Sequence, residues 1–243
     1  MKTQHHDVTF ESDGSPVQGR IVANEAARRG VLFVHGWDSD QQHYEDLSDE
    51  VAAGGCTCLT FDLRGHGESD DEPTNVSRAD NLCDVLAAYD TLARWPGMDT
   101  GAIGVVGTSY GGYLAAIAAA LRPLQWLALR VPALYPDAQW DVPKTALDRR
   151  VIQAYRSAVR PPGDNRALAA CRAFRGDVLV VESAEDEVIP RPTIQSFLQA
   201  FEQPRSLVHH VLAGADHELS RPVSQEVYEA LLLSWIDSVS RRT

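Results

Sequence analysis

The sequence predicts an α/β fold: a mostly parallel sheet of about eight strands with helices on both faces. Strand-like apolar runs alternate with helical patterns along most of the chain, which is typical of this class. The runs at 31–34 and 178–181 are continuously apolar, as expected of parallel strands buried on both faces. No repeat, low-complexity tract or linker divides the 243 residues, so we expect a single domain over 1–243.

The individual elements follow from local patterns. Strand-like runs at 7–12 and 17–23 flank Ser12-Asp13-Gly14-Ser15, and Asp-Gly between such runs predicts a hairpin. Apolar residues spaced three and four apart predict the helices. The remaining predicted strands are 31–34, 56–61, 103–106, 126–131, 178–181 and 206–212, and the predicted helices are 42–53, 77–95, 112–121, 165–174, 193–201 and 223–239.

The alternation breaks between Pro132 and Pro162, where prolines recur and the one helical pattern covers Thr145 to Val159. We interpret 132–162 as a short lid inserted between a strand and a helix; an ordinary surface crossover is the alternative. Between 144 and 160 its charges are five basic residues and one acid, Asp148. This bias suits either substrates that bear a carboxylate or a solvated basic face.

Charge and cysteine usage restrict the partners and the compartment. The formal net charge of −12 disfavours nucleic acid and anionic membranes. The chain lacks an apolar run of membrane-spanning length, and its first residues lack the apolar core of a secretory signal, so we expect a cytoplasmic protein. We interpret the four cysteines as buried free thiols, because Cys56 and Cys58 face the same side of a strand.

The stretch Gly107-Thr108-Ser109-Tyr110-Gly111 has the pattern Gly-x-Ser-x-Gly. An apolar strand precedes it and a run of small residues with helical character follows. In this strand–turn–helix context the serine hydroxyl is exposed above the sheet edge, and the glycines permit close backbone approach. The pattern therefore predicts that Ser109 is a nucleophile.

A nucleophilic serine needs a base, and the base needs a group that orients it. Because sites in such sheets form at the carboxyl ends of the strands, the base and the acid are expected in the loops after later strands. His217 follows the last predicted strand and is the expected base. Asp186 follows the strand at 178–181 and is the expected acid; Glu185 and Glu187 remain competitors because the register of this loop is uncertain by one residue.

The chain order Ser, Asp, His is that of the α/β-hydrolases, and the chain resembles this superfamily at five motifs. The serine turn at 107–112 is also similar to that of prolyl-oligopeptidase relatives. The loop 62–69 and the small lid resemble cinnamoyl or feruloyl esterases and monoacylglycerol lipases. The five motifs are His35-Gly36-Trp37, Asp62-Leu63-Arg64-Gly65-His66-Gly67-Glu68-Ser69, Gly107-Thr108-Ser109-Tyr110-Gly111-Gly112, Asp186 through Pro190, and Ala215-Asp216-His217.

The resemblance implies an α/β-hydrolase fold and an oxyanion hole made by the backbone N–H groups of Trp37 and Tyr110. It implies no metal and no organic cofactor. Asp62 and Arg64 are expected to brace loops by ion pairing. We expect five aromatic side chains to bind substrate: Trp37, Tyr110, Tyr135, Trp140 and Tyr155.

The function expected from these features is hydrolysis of carboxylic esters of small or medium acyl or aryl compounds through an acyl-enzyme. The expected partner is a small-molecule ester, without nucleic acid or membrane, and the protein is expected to be a monomer or homodimer. A serine peptidase or acyl-aminopeptidase, a thioesterase, a lactonase and a carbon–carbon hydrolase remain alternatives. A small-molecule receptor that retains the three residues is the non-enzymatic alternative.

Overall fold

A computed structural model describes residues 3–240. One sheet contains all eight strands of this part of the chain, in the order β1-β2-β4-β3-β5-β6-β7-β8. β2 is antiparallel to β1 and β4, and every other neighbouring pair is parallel, which confirms the predicted sheet. The strands are β1 (Thr3–Ser12), β2 (Ser15–Asn24), β3 (Arg29–Val34), β4 (Cys56–Phe61), β5 (Ile103–Thr108), β6 (Trp126–Arg130), β7 (Asp177–Ser183) and β8 (Ser206–Leu212).

Of the seven α-helices within residues 3–240, six cover the two faces of the sheet, and the seventh, α4, lies in the 132–162 segment. Buried apolar side chains of α2, α3, α5 and α6 pack into the core on one face. Those of α1 and α7 pack into the core on the other. The helices are α1 (Glu45–Ala53), α2 (Arg78–Ala93), α3 (Tyr110–Ala118), α4 (Arg149–Arg156), α5 (Arg166–Ala173), α6 (Arg191–Ala200) and α7 (Pro222–Ser240).

The central strands supply both cores because successive side chains of a strand point to opposite faces. In β3, Leu32 and Val34 belong to the first core, whereas Val31 and Phe33 belong to the second. This two-sided burial explains the continuous apolar run that the sequence shows here. The β1–β2 hairpin closes at Asp13 and Gly14, whose φ angles are 49° and 84°, as in the type I′ turn that Asp-Gly favours.

The segment between β6 and α5 departs from the predicted pattern. The expected helix from Thr145 to Val159 is divided: a 3₁₀ turn covers Lys144–Ala146, and α4 covers only Arg149–Arg156. Asp148 begins α4, because its side chain accepts a hydrogen bond from the Arg150 N–H. Apolar periodicity continued through both pieces, and the capping residue between them set the boundary.

A buried ion pair joins the loop after β4 to α2. Arg64 Nε donates to Asp84 Oδ1 over 2.7 Å, and the side chains are 7% and 0% exposed. Burial raises the pKa of Asp84 and the Arg64 charge opposes that rise. Arg64 therefore does brace this loop, with Asp84 as its partner. Within residues 3–240 Asp62 has no ion pair, and it braces the loop by accepting hydrogen bonds from the Gln41 and Glu68 N–H groups.

Two further expectations concern cysteines and membranes. Cys56, Cys58, Cys83 and Cys171 are all free, and all but Cys83 are buried. Over the part of the chain that the structure describes, helices of the length and apolarity needed to cross a membrane are absent.

The ion pair of Arg64 and Asp84 gives a stability prediction. Asp84→Ala removes the 2.7 Å partner of a buried guanidinium and leaves Asp80, 4.0 Å away, as the acid beside it, so we expect the free energy of unfolding to fall by about 3–5 kcal/mol. Asp90→Ala is the matched control, because Asp90 pairs with Arg122 over the same 2.7 Å while both side chains are about 30% exposed. The free energy of unfolding of Asp90→Ala should fall by less than about 1 kcal/mol. Equal losses for the two variants in urea titrations would contradict the argument.

Candidate active site

The site begins at the turn between β5 and α3. Ser109 lies there with φ 52° and ψ −113°, a strained conformation that costs about 1–3 kcal/mol. The backbones around it are too close for side chains at the flanking glycines. A Cβ on Gly107 would lie 2.7 Å from the Gly111 oxygen, and one on Gly111 would lie 2.2 Å from the Val34 oxygen. These contacts explain why both flanking positions are glycine.

Ser109, His217 and Asp186 form a continuous hydrogen-bonded chain. The Ser109 Oγ lies 3.1 Å from His217 Nε2, and His217 Nδ1 lies 2.8 Å from Asp186 Oδ2. The other oxygen of Asp186 accepts hydrogen bonds from the N–H groups of Val188 and Ile189, each over 2.8 Å. An ionised carboxylate only accepts, so Nδ1 carries the imidazole proton and Nε2 accepts from the serine hydroxyl.

The three residues come from three separate loops, 77 and 31 positions apart along the chain. They meet because β5, β7 and β8 run parallel and end at the same edge of the sheet. The side chains of Asp186 and His217 are 4% and 10% exposed. Among the acids of this loop it is Asp186 that contacts His217, while Glu185 and Glu187 are exposed.

Arg130, the last residue of β6, holds the histidine loop. Its Nη1 donates to the backbone oxygen of His217 over 2.7 Å. Its guanidinium also lies 5.5 Å from the ring centroid of Tyr228, and Arg130 is 2% exposed. A single buried cation therefore fixes the loop of His217 relative to the central sheet.

His35 shapes the loop after β3. Its Nδ1 donates to the Gly36 oxygen over 2.7 Å, and its Nε2 accepts from the Leu63 N–H over 3.0 Å. The bond that Nε2 accepts requires the neutral ring, and burial lowers the pKa of His35 to about 4. A Cβ built on Gly36 would lie 3.5 Å from the Ser109 Cβ, so His35 holds this loop against the serine.

The amides expected to form the oxyanion hole, those of Trp37 and Tyr110, lie on either side of Ser109. Trp37 follows the Gly36 loop, and Tyr110 is the first residue of α3. Within residues 3–240, neither N–H donates a hydrogen bond to a protein acceptor. Both remain available to an added acceptor, as the expected role requires.

Two cavities share part of their lining beside the serine. The smaller, of about 250 Å³, is lined by Ser109 and His217. The larger, of about 440 Å³, lies under the 132–162 segment. Trp37 and Asp38 line both cavities, so the two spaces are neighbours. The other residues that line the larger cavity are Tyr135, Lys144, Thr145, Leu147, Arg149, Ile152, Gln153, Arg156, Glu187 and Val188.

The five aromatic residues expected to bind substrate have different surroundings. Trp37 and Tyr135 line the larger cavity. Tyr110 is fully buried beneath Trp37, and its hydroxyl donates to Asn81. Trp140 lies between the guanidinium groups of two arginines, and Tyr155 bonds to Asp164 and Asn165. The expectation for Tyr110, Trp140 and Tyr155 is therefore corrected: all three hold the structure around the cavities, because their rings and hydroxyls are used internally.

From the sequence, Lys144 and Arg156 stand out only as members of the basic run 144–160, and Arg130 has no predicted role. A division of that run into buried and solvated charges needs coordinates. Arg130 is a charged residue at the end of a buried strand, directly before the site edge, and that position is a usable signal. Among residues 3–240, no cluster of histidine, cysteine, aspartate or glutamate could hold a metal ion.

This sheet and the strand–serine–helix turn define the α/β-hydrolase fold. The sequence model of the alpha/beta hydrolase family matches residues 31–230, and the chain belongs to this family. An uncharacterised protein of Mycobacterium tuberculosis is 27% identical over 216 residues, which cover 87% of this chain and 72% of that protein. The thiohydrolase aneE of Aspergillus aculeatus is 32% identical over 102 residues, or 41% of this chain and 32% of that protein.

Solved structures share the fold at low identity. An esterase of Pyrococcus furiosus has a TM-score of 0.74 and 18% identity, with 98% of this chain and 92% of that chain covered. Est1E of Butyrivibrio proteoclasticus, solved with ferulic acid, has a TM-score of 0.70 and 18% identity over 93% and 98% of the chains. An acylaminoacyl peptidase of Pyrococcus horikoshii has a TM-score of 0.75 and 16% identity, and only 42% of that chain is covered.

The buried neutral His35 predicts a loss of stability in acid. Its folded pKa of about 4 lies below the ordinary histidine value of 6.5, so its contribution is complete above pH 6.5 and disappears as the pH falls from 6.5 to about 4. The difference corresponds to about 3 kcal/mol.

The measurement is denaturant unfolding of the wild type and His35→Gln at several pH values in this window. Because burial also lowers the pKa of His43 and His66, both proteins should lose stability. The free energy of unfolding should decline less steeply with falling pH for His35→Gln than for the wild type. If the two proteins declined in parallel, His35 would not be the source of the acid sensitivity.

Proposed function

We propose that this protein is a serine hydrolase that cleaves carboxylic esters of small or medium acyl or aryl compounds. The observation that carries the proposal is the hydrogen-bonded chain of Ser109, His217 and Asp186, which ends at a serine that lines a cavity. A serine hydroxyl beside an oriented imidazole is the arrangement that acyl transfer needs. Membership in the alpha/beta hydrolase family supports hydrolysis in general; the ester class is our inference.

In the first half of the reaction, Ser109 Oγ attacks the acyl carbon and its proton passes to His217 Nε2. Asp186 accepts the Nδ1–H and stabilises the charged ring. The tetrahedral intermediate then expels the alcohol oxygen, which takes the proton from His217. In the second half, water attacks the acyl-enzyme, gives its proton to Nε2 and releases the acid, and Ser109 recovers its proton.

The oxygen of the acyl carbonyl gains negative charge in both halves. In this mechanism it accepts hydrogen bonds from the amides of Trp37 and Tyr110. Each such donor typically lowers the barrier by about 2.7–4 kcal/mol. Because the amide of Tyr110 also begins α3, the partial positive charge at the start of the helix adds to the effect.

The segment 132–162 acts as a lid in this proposal. Its residues line one side of the larger cavity, and Arg78 holds its first part by donating to the backbone oxygens of Pro136, Ala138 and Gln139. Cavities of about 250 and 440 Å³ suit small and medium substrates. We place the activity in the cytoplasm, because the free cysteines suit a reducing compartment.

Thioester hydrolysis is the second candidate. The partial similarity to a thiohydrolase favours it, and the same serine, base and amides would act on a thioester carbonyl. The leaving group would be a thiol in place of an alcohol, so rates on matched oxygen and sulfur esters of one acyl group separate the two functions.

The mechanism predicts a covalent adduct on one residue. A fluorophosphonate should label Ser109 of the wild type and should not label Ser109→Ala, and that variant should lose hydrolysis of 4-nitrophenyl esters by at least about 1,000-fold. Ser15→Ala, in the β1–β2 hairpin, is the control and should react normally. An adduct at another residue, or retained turnover in Ser109→Ala, would refute the mechanism.

Screening esters, acyl-CoA and aminoacyl-anilides tests the substrate class. Faster hydrolysis of esters supports the proposal, whereas faster hydrolysis of acyl-CoA or anilides would assign the chain to the thioesterase or peptidase alternative. Specific binding without turnover would assign it to a receptor.

The contact of Arg130 with the histidine loop predicts a positioning effect. Arg130→Met removes the donor to the His217 oxygen, so we expect kcat and the labelling rate of Ser109 to fall about tenfold or more with little change in KM. Arg130→Lys should recover part of the loss. Arg122→Met serves as a surface control, and thermal unfolding is measured in parallel. Unchanged kcat in a folded Arg130→Met protein would contradict the role.

A further inference from the structure

The charged groups around the larger cavity are divided by burial. Lys144, which is partly buried, and Arg156, which is buried, line it, and Arg149 lies at its exposed rim. The two acids that line it, Asp38 and Glu187, are exposed. Water screens the exposed acids, while the shielded cations act at a lower local dielectric. The interior of this cavity is therefore positive in a chain whose formal net charge is −12.

Lys144 is held in place by aromatic rings. Its Nζ lies 3.3 Å from the ring centroid of Trp37, 5.0 Å from that of Tyr110 and 5.9 Å from that of Tyr135. Within residues 3–240 it has no ion pair and no side-chain hydrogen bond. The π faces attract the ammonium but accept no conventional hydrogen bond from its three N–H groups.

Arg156 is a second cation without an acidic partner in the described chain. Its Nε donates to the Leu134 oxygen over 2.9 Å, and its guanidinium lies 4.6 Å from the ring centroid of Tyr135. Arg156 is 8% exposed. Burying two cations near each other without an anion is unfavourable, and a bound anion would relieve that cost.

The backbone fixes both cations. Lys144 lies in the 3₁₀ turn Lys144–Ala146, and its N–H donates to the Val76 oxygen over 3.2 Å. The neighbouring Pro143 pairs with Ser77 at the start of α2. Arg156 ends α4, and its own backbone oxygen accepts from Thr193 on α6. The cation pair is thus built into the fold rather than formed by mobile surface side chains.

We propose that the substrate carries a carboxylate in addition to the scissile ester, and that Lys144 and Arg156 bind this carboxylate in the larger cavity. The inference rests on the proposed ester hydrolysis at Ser109. Trp37 and Asp38 line both cavities. The part of the substrate that joins its carboxylate to its ester therefore passes these two residues. The segment 132–162 selects substrate by charge, with Arg149 at the rim of the cavity.

The test compares two esters of equal length. One is the 4-nitrophenyl monoester of adipic acid, with a free carboxylate, and the other is its terminal amide, which is neutral. We expect the wild type to favour the anionic ester by about tenfold or more in kcat/KM at pH 7, mainly through KM. A second pair, the butyrates of 6-hydroxyhexanoate and 6-hydroxyhexanamide, places the charge on the alcohol side.

Lys144→Met keeps the length of the side chain and removes the charge, so the preference should fall towards one. Arg150→Gln is the matched control: Arg150 is on the same helix as Arg156 but is exposed and outside the cavity. It should keep the preference. If Arg150→Gln reduced the preference as much as Lys144→Met does, a general field effect would replace the proposed site.

The pH dependence supplies an independent readout. Burial, and then the charge of Arg156, lower the pKa of Lys144 to about 7; Asp38 acts in the opposite direction, and Arg149 and Arg78 add to the lowering. His66, whose pKa is lowered by burial and by Lys144, also faces it. Lys144 is charged below pH 7 and neutral above it, so the anionic preference should decrease between pH 6 and 8.5.

The ratio of the two esters isolates this effect, because both depend equally on His217. Lys144→Arg should keep the preference nearly constant across the range. A preference that is flat in the wild type would contradict the role of Lys144.

Failure of the inference and failure of the proposed function are distinguishable. Equal kcat/KM within both ester pairs, with turnover and a Ser109 adduct present, would overturn the carboxylate site and leave the hydrolase intact. Absence of turnover on all four esters together with absence of a Ser109 adduct would overturn the proposed function itself.

Discussion

The site depends on the close approach of α3 to the ends of β3 and β5. With Gly111 against the backbone oxygens of Val34 and His35 and Gly107 against Gly111 and Gly112, the chain must turn sharply, and Ser109 takes up the strained geometry. The same approach brings the Gly36 loop beside the serine and leaves the Tyr110 amide at the start of a helix. Packing of the central sheet thus supports the strain at Ser109.

Buried polar groups attach the surrounding loops to that centre. His35 joins the loop after β3 to that after β4, Arg64 joins the latter to α2, and Arg130 joins β6 to the loop of His217. Each contact crosses between elements that are distant in the sequence. Buried hydrogen bonds and ion pairs of this kind stabilise the fold mainly because they are costly to break: the partner left unpaired would remain in a low dielectric.

The fold and the meeting of Ser109, His217 and Asp186 followed from the sequence because they depend on local patterns and one topological rule. Apolar runs marked the strands, and parallel strands deliver their following loops to one edge. The division of the expected helix 145–159 was missed because apolar spacing does not register a capping residue between two pieces.

Side-chain roles were predicted less well, because they depend on pairings between distant elements. Trp140 and Tyr155 were expected to bind substrate, yet arginines contact the ring of Trp140 and Asp164 bonds to the hydroxyl of Tyr155. An ion pair of Arg64 was predicted without its partner, because that partner, Asp84, lies 20 positions further along the chain. Lys144 and Arg149 belong to the same basic run, and only coordinates separate the shielded charge from the exposed one.

The location of His217 after the edge strand has a consequence for partial unfolding. β8 pairs only with β7 in the described sheet, and Leu207, Val208 and Val211 are each more than a third exposed. Ser109 follows a strand that is buried along its whole length. Local openings of native proteins begin where protection is weakest, so hydrogen exchange at β8 should precede that at β5. Ser109 would keep its turn in such an opened state, and the loop of His217 would be held by Arg130 and Asp186.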